Sequence, residues 1–133
     1  GGQIKGGGLG LYLSYGAGNF IECLPDTPFL QIGELKYGKP ILDRSLKFDT
    51  EINEAMKLGL ISFDSTIRSN LAVGLPLDLI SLERDALELS VKRRIERDDP
   101  YFRELGQKWS DALCAAYRAM PGPPWDQPTD DRA

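Results

Sequence analysis

The apolar positions near the start of the chain recur with a period of two, as the buried face of a strand does. A turn follows at residues 16–19, where glycine and asparagine tolerate a positive φ, and a second apolar run covers residues 20–24. The pattern predicts a β-hairpin, and residues 3–5 are a further short strand candidate. The alternating apolar residues of the first strand are Leu9, Leu11, Leu13 and Tyr15.

The middle of the chain changes to a helical period. Pro40 fits the first turn of a helix, where its missing N–H costs nothing, and it predicts a helix over residues 37–46. Thr50 is the predicted N-cap of a longer helix that ends near Asn70. Apolar residues spaced three and four apart give this helix one apolar face. They are Ile52, Ala55, Met56, Gly59, Leu60, Phe63 and Ile67.

A second hairpin and a last helix follow. Residues 75–82 and 87–91 are predicted strands, joined by a turn at residues 85–86. Asp99 followed by Pro100 is a strong helix start, because an acidic N-cap precedes proline in the first turn. The prolines from residue 121 onward end that helix.

These elements predict an α+β fold, because antiparallel hairpins are separated from the helices along the chain. We expect one sheet of about four strands, with a face and an edge that need a cover from outside this chain. The domain is predicted over residues 1–120. The Pro- and Asp-rich tail, residues 121–133, is expected to be extended or disordered, and Trp125 is expected to dock on another surface.

The amino-acid composition argues against several classes of function. The 133 residues hold 16 Lys and Arg against 20 Asp and Glu, a net charge of −4 that argues against a nucleic-acid partner. No apolar stretch is long enough to span a membrane. The chain has no histidine, which excludes a Ser-His-Asp triad and a histidine zinc site within it. Cys23 and Cys114 are expected to be buried or half-buried thiols in the reducing cytoplasm.

Several long motifs carry a resemblance to a known family. Residues 29–44 and residues 61–71, followed by residues 73–79, resemble the Anbu family, the ancestral proteasome β-subunits of bacteria. Residues 18–22 match as well. So do residues 98–102, with Trp109 and residues 123–125 downstream. The matches extend over nearly the whole chain.

The resemblance implies a four-layer αββα sandwich of the N-terminal-nucleophile hydrolase type, of which this chain is the C-terminal portion. The family is similar to threonine-type proteasome peptidases, which act on peptide or amide substrates. Their nucleophile is a mature N-terminal residue with a hydroxyl or thiol, activated by its own α-amine. Residue 1 here is Gly1, so we expect no catalytic residue in this chain and no activity from it alone.

The resemblance also implies where the chain would support a catalytic site. In the relatives a serine follows an Ile-Gly pair near the nucleophile, whereas here Ile32 and Gly33 are followed by Glu34. This carboxylate would position the amine of the nucleophile or hold a charge partner. The alternative is an ordinary acidic residue in the first turn of a helix, favoured by the helix dipole.

A second supporting segment is the end of the long helix. The resemblance implies that Asp64, Ser65 and Ser69 give polar support to the site. It also implies that the backbone carbonyls of Phe63, Thr66 and Ser69 could hold a structural monovalent or divalent cation, while no cofactor is required. The alternative is ordinary capping of a helix C-terminus.

Three functions remain open at this stage. The first is a portion of a peptidase or amide hydrolase that forms ring-like homo-oligomers. The second is a non-catalytic assembly or scaffolding module, in which the last helix and the Trp125 tail contact other subunits. The stripe made of Phe102, Leu105 and Trp109 would serve that interface or, alternatively, pack on the chain's own sheet. The third is a small α+β ligand-binding domain, for which the sequence names no ligand.

Overall fold

The computed structural model describes residues 1–3, 6–86 and 88–126, and within these residues the fold is α+β, as predicted. Three two-stranded antiparallel ladders accompany three α-helices. The strands are β1 Gly2–Gln3, β2 Leu9–Gly10, β3 Tyr12–Ser14, β4 Phe20–Glu22, β5 Leu77–Leu82 and β6 Leu89–Ile95. The helices are α1 Lys39–Ser45, α2 Ile52–Ser69 and α3 Pro100–Ala119, with a short 3₁₀ helix at Pro124–Asp126.

The first hairpin forms, but its first strand is divided. β3 pairs with β4 so that Leu13 faces Ile21, whereas β2 pairs with β1. The break follows Gly10, which has no side chain to pack on either face of a strand. The predicted single sheet of about four strands is wrong, because each ladder in the described residues contains two strands.

The second hairpin is longer than predicted. β6 extends to Ile95, which lies opposite Leu77, and Arg94 lies opposite Asp78. Nitrogen Nη1 of Arg94 donates to both carboxylate oxygens of Asp78, at 3.0 and 2.9 Å. Lys92 and Arg94 therefore continue the ladder on its exposed face, while Arg93 lies on the same face as Val91 and Ile95. Leu87, a predicted strand residue, lies outside the described residues.

The N-caps of two helices were predicted from the sequence, one correctly and one not. Asp99 caps α3 by accepting a hydrogen bond from the Phe102 N–H at 2.9 Å, as predicted. Thr50 is not the N-cap of α2. Glu51 takes that role by accepting from the N–H groups of Asn53 and Glu54, while the Thr50 hydroxyl accepts from the Lys47 N–H.

The core lies where α2, α3 and the β5–β6 hairpin meet. Leu60, Ile95 and Phe102 are buried there, and Ile67, Leu75, Leu77 and Leu105 pack around them. Phe102 and Leu105, which the sequence offered as part of an interface stripe, therefore pack in this core. The second half of α3 is exposed at Leu113 and Tyr117, and Met120 just after the helix is exposed as well.

Two smaller expectations need correction. Cys23 is half-buried, but Cys114 is exposed, because the part of α3 that carries it packs on nothing in the described residues. Residues 124–126 form a 3₁₀ turn rather than an extended tail. Trp125 is 84% exposed, and its docking on another surface stays a prediction. The rest of the predicted tail, residues 127–133, lies outside the described residues.

Among the described helices, none is both long enough and apolar enough to cross a membrane.

Candidate functional site

A tight turn at Gly33 sets the position of Glu34. Gly33 has a φ of +83°, in the region that favours glycine. Beyond it, the Glu34 carboxylate accepts a hydrogen bond from the Lys36 N–H at 2.8 Å and another from the Asn70 side-chain amide at 3.0 Å. The two segments that the sequence singled out, residues 29–34 and the end of α2, therefore meet at this carboxylate.

The electrostatics of Glu34 favour its ionised form. The Lys36 N–H lowers the pKa of the Glu34 carboxyl below its ordinary value, and the Asn70 amide lowers it further. Partial burial opposes these effects only in part. The alternative interpretation of Glu34 as a first-turn acid is wrong, because α1 begins at Lys39 and has no acidic residue in its first turn.

Asn70, which holds Glu34, was predicted only as the end of a helix. Its backbone N–H donates to the Thr66 carbonyl at 2.9 Å and so closes the last turn of α2. Its side-chain oxygen accepts from the Ala72 N–H at 2.9 Å, and this leaves the amide nitrogen directed at Glu34. An asparagine at a helix end, followed by a loop, was the only signal for this role in the sequence.

Beside this contact, residues 29–34 and α2 enclose a cavity of about 410 Å³. Its wall is mostly apolar, and the Thr66 hydroxyl is satisfied by the Ser62 carbonyl at 2.9 Å. One polar atom of the wall is not satisfied in this way: the Gln31 side-chain oxygen is buried and has no hydrogen-bond partner among the described residues. The candidates Gly33, Glu34, Phe63 and Thr66 all line this cavity.

Asp64 lies on the other side of α2. Its carboxylate accepts from Nε of Arg68 at 2.9 Å and rests against Gly106 of α3, where a Cβ atom would overlap it. Each residue turns a helix by about 100°, so Asp64 cannot share a face with both Phe63 and Thr66. The structure does not bring Asp64 to Glu34.

The remaining candidate residues are two serines and the backbone carbonyls predicted to hold a cation. The side chain of Ser65 is half-buried and that of Ser69 is exposed. The Thr66 carbonyl, one of three proposed cation ligands with those of Phe63 and Ser69, already accepts the Asn70 N–H. The carbonyl site stays a prediction. The described residues contain no cluster of three or more acidic, cysteine or histidine side chains that could hold a metal.

No protein-family model matches the chain, and no curated protein does. Solved structures do. Anbu from Hyphomicrobium sp. strain MC1 is 54% identical and aligns with a TM-score of 0.86 over 90% of this chain and 52% of its own. Anbu from Yersinia bercovieri, described as an ancestral beta-subunit, is 50% identical, with a TM-score of 0.86 over 91% of this chain and 51% of its own.

The chain belongs to the Anbu family. A third Anbu, from Pseudomonas aeruginosa, is 54% identical, with a TM-score of 0.86 over 92% of this chain and 51% of its own, and its structure is of a helical assembly. The chain thus spans about half the length of the Anbu structures that it matches. The matches confirm the predicted fold class and identify a proteasome-like subunit.

What this half of an Anbu fold offers chemically is a fixed anion. Glu34 is held at two points and is stabilised as a carboxylate, beside a cavity with one unsatisfied polar atom. A fixed carboxylate can orient an ammonium group through a charge-assisted hydrogen bond. It does not by itself supply a nucleophile, and no histidine is present in the 133 residues to activate one.

Proposed function

We propose that this chain is the C-terminal portion of a threonine-type N-terminal-nucleophile hydrolase that cleaves peptide or amide bonds, with the nucleophile contributed from outside these residues. In this portion, Glu34 positions the nucleophile's α-amine. The observation that carries the proposal is the contact between Glu34 and Asn70, which joins the Ile32–Gly33 turn to the end of α2. The match to Anbu structures over about half their length supports it.

The role of Glu34 follows from its charge. The α-amine of an N-terminal nucleophile is the base that takes the hydroxyl or thiol proton. A nearby carboxylate stabilises the ammonium that forms, so it raises the pKa of the amine and keeps it in one orientation. Asn70 restricts the carboxylate to one position, and Lys36 keeps it ionised through its backbone N–H.

A chimeric protein tests this function. This chain would replace the half of Hyphomicrobium Anbu that it matches, and a mechanism-based electrophile that labels N-terminal nucleophiles would be followed by intact mass. We expect the chimera to be labelled and the 133-residue chain alone to stay unlabelled. We expect Glu34→Gln to slow labelling of the chimera about tenfold, the effect of losing one hydrogen bond to a charged group.

Glu104→Gln is the matched control, because Glu104 is exposed and its ion pair among the described residues is with Lys108, away from Glu34. It should leave the labelling rate unchanged. Labelling of the isolated chain would contradict the absence of a nucleophile. Equal rates in the Glu34→Gln and unsubstituted chimeras would contradict the role of the carboxylate.

One observation favours assembly as a second function. The second half of α3 exposes Leu113 and Tyr117, and Met120 and Trp125 beyond its end are also exposed. The Pseudomonas aeruginosa relative forms a helical assembly. We propose that the subunit forms homo-oligomers through this surface. Deleting residues 121–133 and measuring mass by light scattering tests the tail, since an unchanged mass excludes it as a contact.

A further inference from the structure

A cleft of about 740 Å³ lies on the opposite side of α2 from Glu34, between the end of α2 and the start of α3. Three arginines, Arg68, Arg97 and Arg103, line it, together with the two acids Asp64 and Glu104. We call this the arginine cleft. Nothing in the proposed hydrolase site uses it.

The positive charges of the arginine cleft are only partly balanced. Asp64 pairs with Arg68 at 2.9 Å, and Glu104 pairs with Lys108 at 2.6 Å. Arg97 and Arg103 make no ion pair within the part of the chain that the structure describes. Two exposed guanidinium groups therefore face the cleft without a carboxylate, on a chain whose net charge is −4.

Three acids lie close to Arg97 along the chain. Glu96 pairs with Nε of Arg94 at 3.2 Å, and Asp98 makes no ion pair among the described residues and does not line the cleft. Asp99 is held by Nη2 of Arg93 at 2.8 Å, and its other oxygen caps the start of α3. These two contacts lower the pKa of the Asp99 carboxyl, first through the Phe102 N–H and then through Arg93. Asp99 is therefore committed to structure and leaves the cleft open to an outside anion.

We propose that the arginine cleft binds the acidic segment of a second copy of this chain, residues 126–133. That segment carries Asp126, Asp130 and Asp131 against a single basic residue, Arg132. Adjacent carboxylates at 130 and 131 suit two guanidinium groups, because arginine pairs with carboxylates through a planar two-point contact.

The geometry favours a second copy over the chain's own segment. From Arg103 to its end at Ala119, α3 carries the chain about 24 Å away from the cleft, at 1.5 Å for each residue. The chain does not return along α3 over the described residues, since Trp125 is 84% exposed and residues 124–126 close into a 3₁₀ turn. The four residues from Asp126 to Asp130 can then span at most about 14 Å.

A peptide-binding experiment tests the proposal without needing a catalytic site, so its result is independent of the proposed hydrolase function. A fluorescein-labelled peptide of residues 125–133 would be titrated with the full chain, and its anisotropy measured. We expect saturable binding that weakens as salt is raised, because exposed charges are screened. We expect at least about tenfold weaker binding to the Arg97→Glu, Arg103→Glu double variant.

Arg84→Glu provides a control with a charge reversal at an exposed arginine outside the cleft, and it should bind the peptide as the unsubstituted chain does. A peptide with asparagine at positions 130 and 131 should bind as weakly as the double variant binds the original. Circular dichroism would confirm that the variants are folded. Arg103→Gln replaces the double variant if that one does not fold.

Three results would overturn the proposal. The first is equal binding of the peptide by the double variant and the unsubstituted chain. The second is displacement of the peptide by inorganic phosphate at equal concentration, which would indicate a general anion site. The third is a monomeric chain that binds the peptide much more tightly once residues 127–133 are deleted than it does at full length. That result would mean that the acidic segment of each chain occupies the arginine cleft of the same chain.

Discussion

The β3–β4 and β5–β6 hairpins are both antiparallel ladders, yet only the second is part of a core. Ile95 in β6 is 2% exposed and packs with Leu60 of α2 and Phe102 of α3. Phe20 in β4 is 64% exposed, although its ring meets Tyr12 edge-to-face at 5.6 Å. Local alternation was enough to form both ladders. Burial required close packing on α2 and α3, which β5–β6 has, whereas Leu13 and Ile21 of β3–β4 line a cavity of about 300 Å³ beside α1.

The sharpest way to test this difference is to remove one aromatic ring from each region. We expect Phe102→Ala to destabilise the chain by about 3–5 kcal/mol, because it leaves a cavity among Leu60 and Ile95. We expect Phe20→Ala to cost less than about 1 kcal/mol, because an exposed cross-strand pair contributes little. Urea unfolding followed by circular dichroism measures both. Equal losses would mean that β3–β4 shares the core.

A smaller effect distinguishes two glycines in helices. A Cβ on Gly106 would overlap the Asp64 carboxylate, whereas a Cβ on Gly59 would meet nothing within 4 Å. We expect Gly106→Ala to destabilise by about 1–3 kcal/mol through overpacking. The matched Gly59→Ala change should stabilise by about 0.5–1 kcal/mol, because alanine favours a helix. Thermal unfolding compares the two, and a stabilising Gly106→Ala would contradict the close packing of α2 on α3.

The smallest effect concerns the pKa of Glu34. Because its folded pKa is below the ordinary 4.5, its contribution to stability is present above that value and is lost as pH falls through the folded pKa. We expect Asn70→Ala to raise the pKa of Glu34 only part of the way, since the Lys36 N–H is the larger cause. NMR titration of the carboxyl carbon measures it.

Asn53→Ala is the control for that titration, because the Asn53 amide contacts Glu51 rather than Glu34. It should leave the Glu34 titration unchanged. No change in Asn70→Ala would mean that the contact between the turn and α2 does not form in solution.

The sequence predicted what depends on neighbouring residues. Asp99 and Pro100 start α3 as expected, because a cap and a fixed φ act within one turn. The choice between Thr50 and Glu51 was wrong, since both can accept from the first N–H groups and the Thr50 hydroxyl is taken by Lys47. The sequence alone does not show which of two neighbouring acceptors will cap the helix.

The site depended on contacts between distant residues and was harder to predict. Glu34 and Asn70 are 36 positions apart, and their contact follows from how the Gly33 turn lies against α2. Asp64 was chosen by resemblance, but the close approach of Gly106 turns it toward α3. The apolar spacing of α2 predicts that one face is buried, but it does not predict which element packs on each face.

Gly38 shows how one small residue constrains two helices during evolution. It precedes α1 and is buried against α2, where a Cβ would overlap the Ser62 hydroxyl and lie 2.8 Å from the Thr66 hydroxyl oxygen. The Ser62 backbone oxygen is also 2.8 Å from that Cβ, so changes of the Ser62 and Thr66 side chains alone would not admit a larger residue, and the backbone at position 38 would have to move away from α2. Because Thr66 also lines the cavity beside Glu34, drift at position 38 would alter that cavity too.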